Sequence, residues 1–159
     1  MKQYLLDTNI CIYFLKNQYG VAEHIKAVGN KNCFISDITL AELYFGASNS
    51  GQKEHKIKGV KAIEKYFTVI PIQKALECYG DCKAVLKKQG KLIDDFDLLI
   101  GATAVTCNLI MVTENVKHLA RIPNINIENW IKKIRAVKYH SRFISRCSAI
   151  CSNFVPGRP

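Results

Sequence analysis

Tyr4-Leu5-Leu6-Asp7-Thr8-Asn9 is the stretch on which the fold turns. Three apolar residues run straight into an acid, a hydroxyl and an amide, and a helix-like segment over residues 10–15 follows at once. A short buried strand passing directly into a helix puts Asp7 at the carboxyl end of a sheet. Open α/β folds bind ligands at that edge, because the chain crosses from sheet to helix there and side chains converge in a crevice. An Asp at such a junction also serves as a plain turn residue or helix cap. A chemical role for Asp7 therefore depends on other carboxylates reaching the same edge.

The 159 residues suffice for one domain with a sizeable core. A content of 48% hydrophobic and 23% charged residues excludes the disordered and membrane classes. The longest apolar stretch, residues 98–112, is too short to span a bilayer and carries Thr103, Thr106 and Asn108. Asp7 interrupts the apolar start before a secretory h-region forms, so a cytoplasmic protein without membrane association is expected. Seven cysteines, with no C-x-x-C among them, argue against a disulfide framework. Cys78/Cys82 and Cys147/Cys151 have the i, i+4 spacing of a shared metal, but without a His in helical register they read as buried or idle thiols. The net charge is +10, and seven Lys and Arg between Lys132 and Pro159 supply most of it; the rest of the chain sets 16 basic residues against 13 acidic ones. Such a balance suits a polyanionic partner and says nothing about catalysis.

Outward from Asp7, apolar positions at helical spacing predict helices over residues 21–28, 38–47, 53–66, 73–89 and 94–107, with Gly90 closing the fourth. Short β-rich runs predict strands at 32–36, 67–70, 109–113 and 125–127, and a last helix beginning at Glu128. Strands alternating with helices, several of them uninterrupted apolar runs, predict an α/β fold whose mostly parallel sheet is covered on both faces.

Three further segments bring acids to strand-to-helix junctions. Glu42 lies within an otherwise apolar helix, where a lone ionised carboxylate is costly unless exposed, paired or bound to a cation. In Asp94-Asp95-Phe96-Asp97, Asp94 is a good N-cap and the others meet the positive end of the helix dipole. Capping does not need three carboxylates in four residues, however, and the excess suggests that a cation is expected there. Thr113-Glu114-Asn115 repeats at a second strand end the acid, hydroxyl and amide of Asp7-Thr8-Asn9. In a parallel sheet these segments converge on one crevice, which is what Mg²⁺ or Mn²⁺ requires: hard oxygen ligands with room for water and phosphate.

At this point the chain resembles a known family. Leu5-Leu6-Asp7-Thr8-Asn9, Ile38-Thr39-Leu40-Ala41-Glu42-Leu43-Tyr44-Phe45-Gly46-Ala47, Asp97-Leu98-Leu99-Ile100-Gly101-Ala102-Thr103-Ala104 and Val112-Thr113-Glu114-Asn115 match, in order and spacing, the motifs of PIN-domain ribonucleases of the VapC toxin type. The likeness runs on through Arg121-Ile122-Pro123 and Ile127-Glu128-Asn129-Trp130, covering about residues 1–133.

The resemblance implies a PIN-like three-layer α/β/α domain over residues 1–133, followed by a basic extension over 134–159 without an assigned role. It implies a metal-dependent endoribonuclease toxin, dimeric and neutralised by a cognate antitoxin that uses the apolar surface of the helices over 10–15 and 38–47. Asp7, Glu42 and Asp97 would be catalytic, binding Mg²⁺ or Mn²⁺ together with Asp95, while Thr8, Asn9 and Thr113 support the site. Asn115 stands where many members carry Asp, so it offers a carbonyl oxygen without charge; Asp95 or Glu114 would compensate. His118 is the histidine expected nearest the site, with His24, His55 and His140 on the surface. Lys53, Lys56, Lys58 and Lys61 give one helix a basic face towards RNA. The rival expectation is a catalytically weak PIN-like module that binds RNA or protein.

Overall fold

The computed structural model describes residues 2–131; the basic extension over 134–159, the Cys147/Cys151 pair and His140 lie outside them. Five strands, β1 (Tyr4–Leu6), β2 (Cys33–Ser36), β3 (Thr68–Ile70), β4 (Ile110–Val112) and β5 (Asn126–Glu128), form one sheet in the order β3-β2-β1-β4-β5. Every neighbouring pair is parallel, with Leu5 opposite Phe34 on one side and Met111 on the other. The chain winds outward from β1 to β3, then returns across the sheet to lay β4 against the free side of β1. That reversal makes the β1/β4 junction the switch point of the sheet, where a crevice opens beyond the strand ends.

Among the described residues seven α-helices cover the sheet: α1 (Thr8–Leu15), α2 (Val21–Val28), α3 (Asp37–Ser48), α4 (Lys53–Tyr66), α5 (Leu76–Lys88), α6 (Asp95–Thr106) and the single turn α7 (Val116–Leu119). The two faces of β1 explain the layering, since successive side chains of a strand point to opposite sides. Tyr4 and Leu6 join a core with Ile10 of α1, Ile25 of α2, Leu43 of α3 and Ile63 of α4. Leu5 points the other way, into a core with Leu86 of α5, Ile100 of α6 and Leu119 of α7. The result is the three-layer α/β/α arrangement expected, with a sheet that is parallel throughout.

Two predicted elements come out differently. The helix expected from residue 73 starts as a 3-10 turn, Ile72–Ala75, before α5 begins at Leu76. No helix starts at Glu128; that residue ends β5, where its carbonyl accepts from Thr113 N–H at 3.1 Å. Trp130 then packs edge-on against Tyr4 with ring centroids 5.0 Å apart, and the continuation up to Ile131 is non-helical. Elsewhere Gly90 closes the α5 end with φ 64°, the left-handed region that favours glycine. Gly101 on α6 is required by closeness: a Cβ there would stand 2.3 Å from Ile122 Cδ1. Its near neighbour is thus the segment between α7 and β5. Among the described residues no helix is long and apolar enough to cross a membrane.

Candidate active site

Asp7 follows β1 with extended backbone, and its own N–H donates to Val112 O of β4 at 3.0 Å, so the sheet itself sets where the side chain starts. The residue is only 4% exposed. Its Oδ1 accepts from Thr8 N–H at 2.8 Å, capping α1, and its Oδ2 accepts from Thr113 Oγ1 at 2.6 Å and Asn9 Nδ2 at 3.0 Å. Three donors on one buried carboxylate leave its rotamer little freedom.

From Asp7 the hydrogen bonds run in two directions. Thr8 Oγ1 donates to Glu42 Oε2 on α3. On the other side, Thr113 Oγ1 accepts from Asn115 N–H at 2.9 Å, and Asn115 Nδ2 donates to Asp97 Oδ2 on α6 at 3.1 Å. Glu42, Thr8, Asp7, Thr113, Asn115 and Asp97 therefore form one unbroken line across the carboxyl edge of the sheet. The segments that sequence spacing predicted to converge do so, and Asn9 joins through Asp7.

Electrostatics make the cluster hungry for positive charge. Burial is the largest influence on the Asp7 carboxyl and raises its pKa against the opposing pull of Thr113, Thr8 N–H and Asn9. The Glu42 pKa is raised first by burial and then by the charges of Asp7, Asp97 and Asp94, with the Thr8 bond opposing. Asp97 is raised likewise by burial, Asp7 and Asp94, while the Asn115 bond and His118 pull it down. Beside them Asn9 Oδ1 is buried and has no hydrogen-bond partner among the described residues, an orphaned oxygen on the residue whose amide nitrogen donates to Asp7. Hard oxygen donors, like charges and an unsatisfied acceptor fit a divalent cation. Among the described residues no three His, Cys, Asp or Glu side chains close into a compact cage.

Asp95 is not drawn into this line. It is exposed, and its Oδ1 meets Lys83 Nζ at 2.6 Å and Tyr79 OH at 3.1 Å, contacts that lower its pKa. Glu114 is also committed elsewhere, accepting from Tyr13 OH at 2.5 Å. Asp94, expected only to cap α6, does so by accepting from Phe96 N–H at 2.9 Å, yet its charge also bears on Glu42 and Asp97. The sequence held a signal for this: residues three apart on a helix share a face, whereas residues two apart do not. His118 comes near enough to favour the Asp97 anion, as expected of it. His24, expected on the surface, is half-buried and stacks on Trp130 at 5.0 Å. Cys78 and Cys82 face each other on α5 with sulfurs 3.9 Å apart, and burial pushes the Cys82 thiol up to about 11, so it stays protonated at neutral pH.

With this geometry in view, likeness to known proteins becomes informative. The PIN domain family matches residues 4–125. Ribonuclease VapC2 of Haemophilus influenzae is 37% identical over 133 residues, covering 82% of this chain and 100% of the relative. The tRNA(fMet)-specific endonuclease VapC of Shigella flexneri is 33% identical over 132 residues, with 82% and 99% covered. A solved structure of VapBC2 from Rickettsia felis, bound to a DNA fragment from its promoter, superposes with a TM-score of 0.74 at 35% identity over 80% of this chain and 98% of that one. Family match, relatives and carboxylate line agree, and the chain belongs to the PIN-domain family, within its VapC branch.

Proposed function

We propose that this chain is a divalent-metal-dependent endoribonuclease, the toxin of a toxin–antitoxin pair, that hydrolyses RNA phosphodiester bonds until a cognate antitoxin occupies its acidic crevice. One observation carries the reading: three carboxylates, Asp7 at the cap of α1 and Glu42 and Asp97 on α3 and α6, are tied by Thr8, Thr113 and Asn115 into a single line at the switch point of a parallel sheet.

Asp7, Glu42 and Asp97 would hold Mg²⁺ or Mn²⁺. When bound, such an ion lowers the pKa of a water and offsets charge developing on the scissile phosphate. The protein's own part is positional. Thr8, Asn9 and Thr113 hold the Asp7 carboxylate before substrate arrives, so little reorganisation remains for the reaction. Asn115 does the same for Asp97, and because its amide brings no charge, the site favours one tightly held ion over two. Glu42, half-buried on α3, is held through Oε2 by Thr8, which would leave Oε1 for the cation. Lys53, Lys56, Lys58 and Lys61 are exposed on α4 and supply phosphate contacts that position RNA without reading its sequence.

Leu15 of α1 and Phe45 of α3 are 43% and 71% exposed, large apolar side chains suited to an antitoxin segment or a second copy of the chain. The Rickettsia felis complex makes such an assembly the natural expectation. Cleavage of a mixed tRNA and ribosomal RNA pool, with initiator tRNA included because of the Shigella flexneri relative, tests the reading in Mg²⁺, Mn²⁺ and EDTA. Metal-dependent cutting that disappears in Asp7→Asn is expected. RNA binding without cutting under any ion would replace the nuclease with a binding module.

A further inference from the structure

Tyr13 sits near the end of α1, on the helix that Asp7 caps, and is half-buried. Its hydroxyl donates to Glu114 Oε2 at 2.5 Å, joining α1 to the loop after β4. The bond to Glu114, with a smaller effect of burial, pushes the phenol up to about 12, so Tyr13 remains a donor at any working pH. Tyr19 holds the ring edge-on with centroids 4.7 Å apart.

Glu114 is the middle residue of three. On one side Thr113 donates to Asp7, and on the other Asn115 donates to Asp97, so the two residues flanking Glu114 orient carboxylates at the starts of two different helices. Backbone bonds secure this loop at its start, where Thr113 N–H reaches Glu128 O, and within it, where Asn115 N–H reaches Thr113 Oγ1. Among the described residues Tyr13 is the hydrogen-bond partner of the Glu114 side chain. Fixing the middle residue from α1 ties the loop to the same helix whose first turn presents Asp7, Thr8 and Asn9.

We propose that Tyr13 is a positioning residue for the divalent-cation site: through Glu114 it holds the 113–115 loop, and with it the carboxylates of Asp7 and Asp97, in place before the cation arrives. Groups that orient metal-binding side chains typically change affinity or activity by about 10- to 100-fold when removed. The effect here passes through two bonds and belongs at the lower end. The inference rests on the nuclease reading for what the site binds, while the link from Tyr13 to the loop stands apart from it.

The experiment uses the full 159-residue chain. Tyr13→Phe removes the hydroxyl and keeps the ring. In EDTA, amide exchange at Asn115 should quicken severalfold, up to about tenfold for one lost hydrogen bond, with exchange in α4 unchanged. Glu114→Ala should match it, Glu114→Gln should restore protection because it keeps an acceptor, and the Tyr13→Phe/Glu114→Ala pair should be no worse than either alone. Mn²⁺ titration followed by electron paramagnetic resonance should show affinity about tenfold weaker in Tyr13→Phe. Unchanged Asn115 exchange in Tyr13→Phe overturns the proposal. So does a Glu114→Gln that loses as much Mn²⁺ affinity as Glu114→Ala while Tyr13→Phe loses none, which would make Glu114 a direct ligand. Should the unaltered chain bind no Mn²⁺ and cut no RNA, the nuclease reading falls and amide exchange alone decides the role of Tyr13.

Discussion

Asp95 and Asp97 stand two residues apart on the first turn of α6 and meet opposite surroundings. Asp97 is half-buried, receives Asn115 Nδ2 at 3.1 Å, and has its pKa raised by burial and by Asp7 and Asp94. Asp95 is exposed, pairs with Lys83 and Tyr79 on α5, and has its pKa lowered by them. A helix turns about 100° per residue, so positions two apart lie on nearly opposite sides. The acidic run is thus two structures in one stretch: the charges of Asp94 and Asp97 bear on Glu42, while Asp95 pairs across to α5. A cation gains most beside a charge that is poorly solvated and surrounded by like charges, so the proposed site draws on Asp97 and not on Asp95.

Paired substitutions test this division most strongly. Asp97→Asn should cut metal-dependent RNA cleavage by more than about 100-fold, since even supporting groups around metals are worth 10- to 100-fold. Asp95→Asn should leave the rate within about twofold, as expected for a weak exposed pair. Comparable losses in the two variants, with intact far-ultraviolet circular dichroism, would erase the distinction between the faces.

Much of this was legible in the residues. The strand Tyr4–Leu6 and the junction at Asp7 follow from an apolar run meeting polar residues, and the helices Val21–Val28 and Lys53–Tyr66 appear with the expected bounds because their apolar spacing is regular. The line from Glu42 to Asp97 was expected as a convergence of segments, but its hydrogen bonds were not, because they depend on how far each helix is rotated about its own axis. Rotation is set by packing, and no short motif encodes it. The same cause put Asp95 among the expected ligands and left Asp94 as a mere cap. Gly101 shows a third kind of limit, since only the path of the chain after α7 brings Ile122 against it. The helix expected at Glu128 failed to form for a long-range reason, since that residue's carbonyl is taken by Thr113 from a strand it does not adjoin in sequence.

The two faces also predict opposite responses to pH. Carboxylates titrate near 3.8 for Asp and 4.5 for Glu when unperturbed. Asp7, Glu42 and Asp97 have folded values above these, so the folded state binds more protons than the unfolded one across that window, and stability falls as pH rises through it. Asp95 works in reverse: its folded value is lowered, and its contribution is lost as pH falls through it. In EDTA, denaturation midpoints should therefore decline as pH rises out of the ordinary carboxylate range, and Asp97→Asn should flatten that decline and be at least as stable as the unaltered chain above it. Mn²⁺ should restore more stability at neutral than at acid pH, because it binds the deprotonated cluster. A metal-free midpoint that climbed with pH, and climbed equally in Asp97→Asn, would mean that the buried cluster does not govern the profile.

The smallest effect discriminates most finely. Lys83 and Asp95 have side chains 38% and 55% exposed, and a pair so open to water contributes about 0–1 kcal/mol. Lys83 also donates to Tyr79 OH at 2.8 Å, so Lys83→Met removes the charge from both partners while keeping an aliphatic stem against α5. Urea denaturation should show a loss within that range, shrinking further in salt as the exposed pair is screened. Mn²⁺ affinity should be unchanged, because the carboxylate freed by the substitution points to solvent on the side of α6 away from Asp7. If Lys83→Met instead tightened Mn²⁺ binding, the released Asp95 would be reaching the crevice, and the separation of the two faces would be a matter of one ion pair rather than of helix geometry.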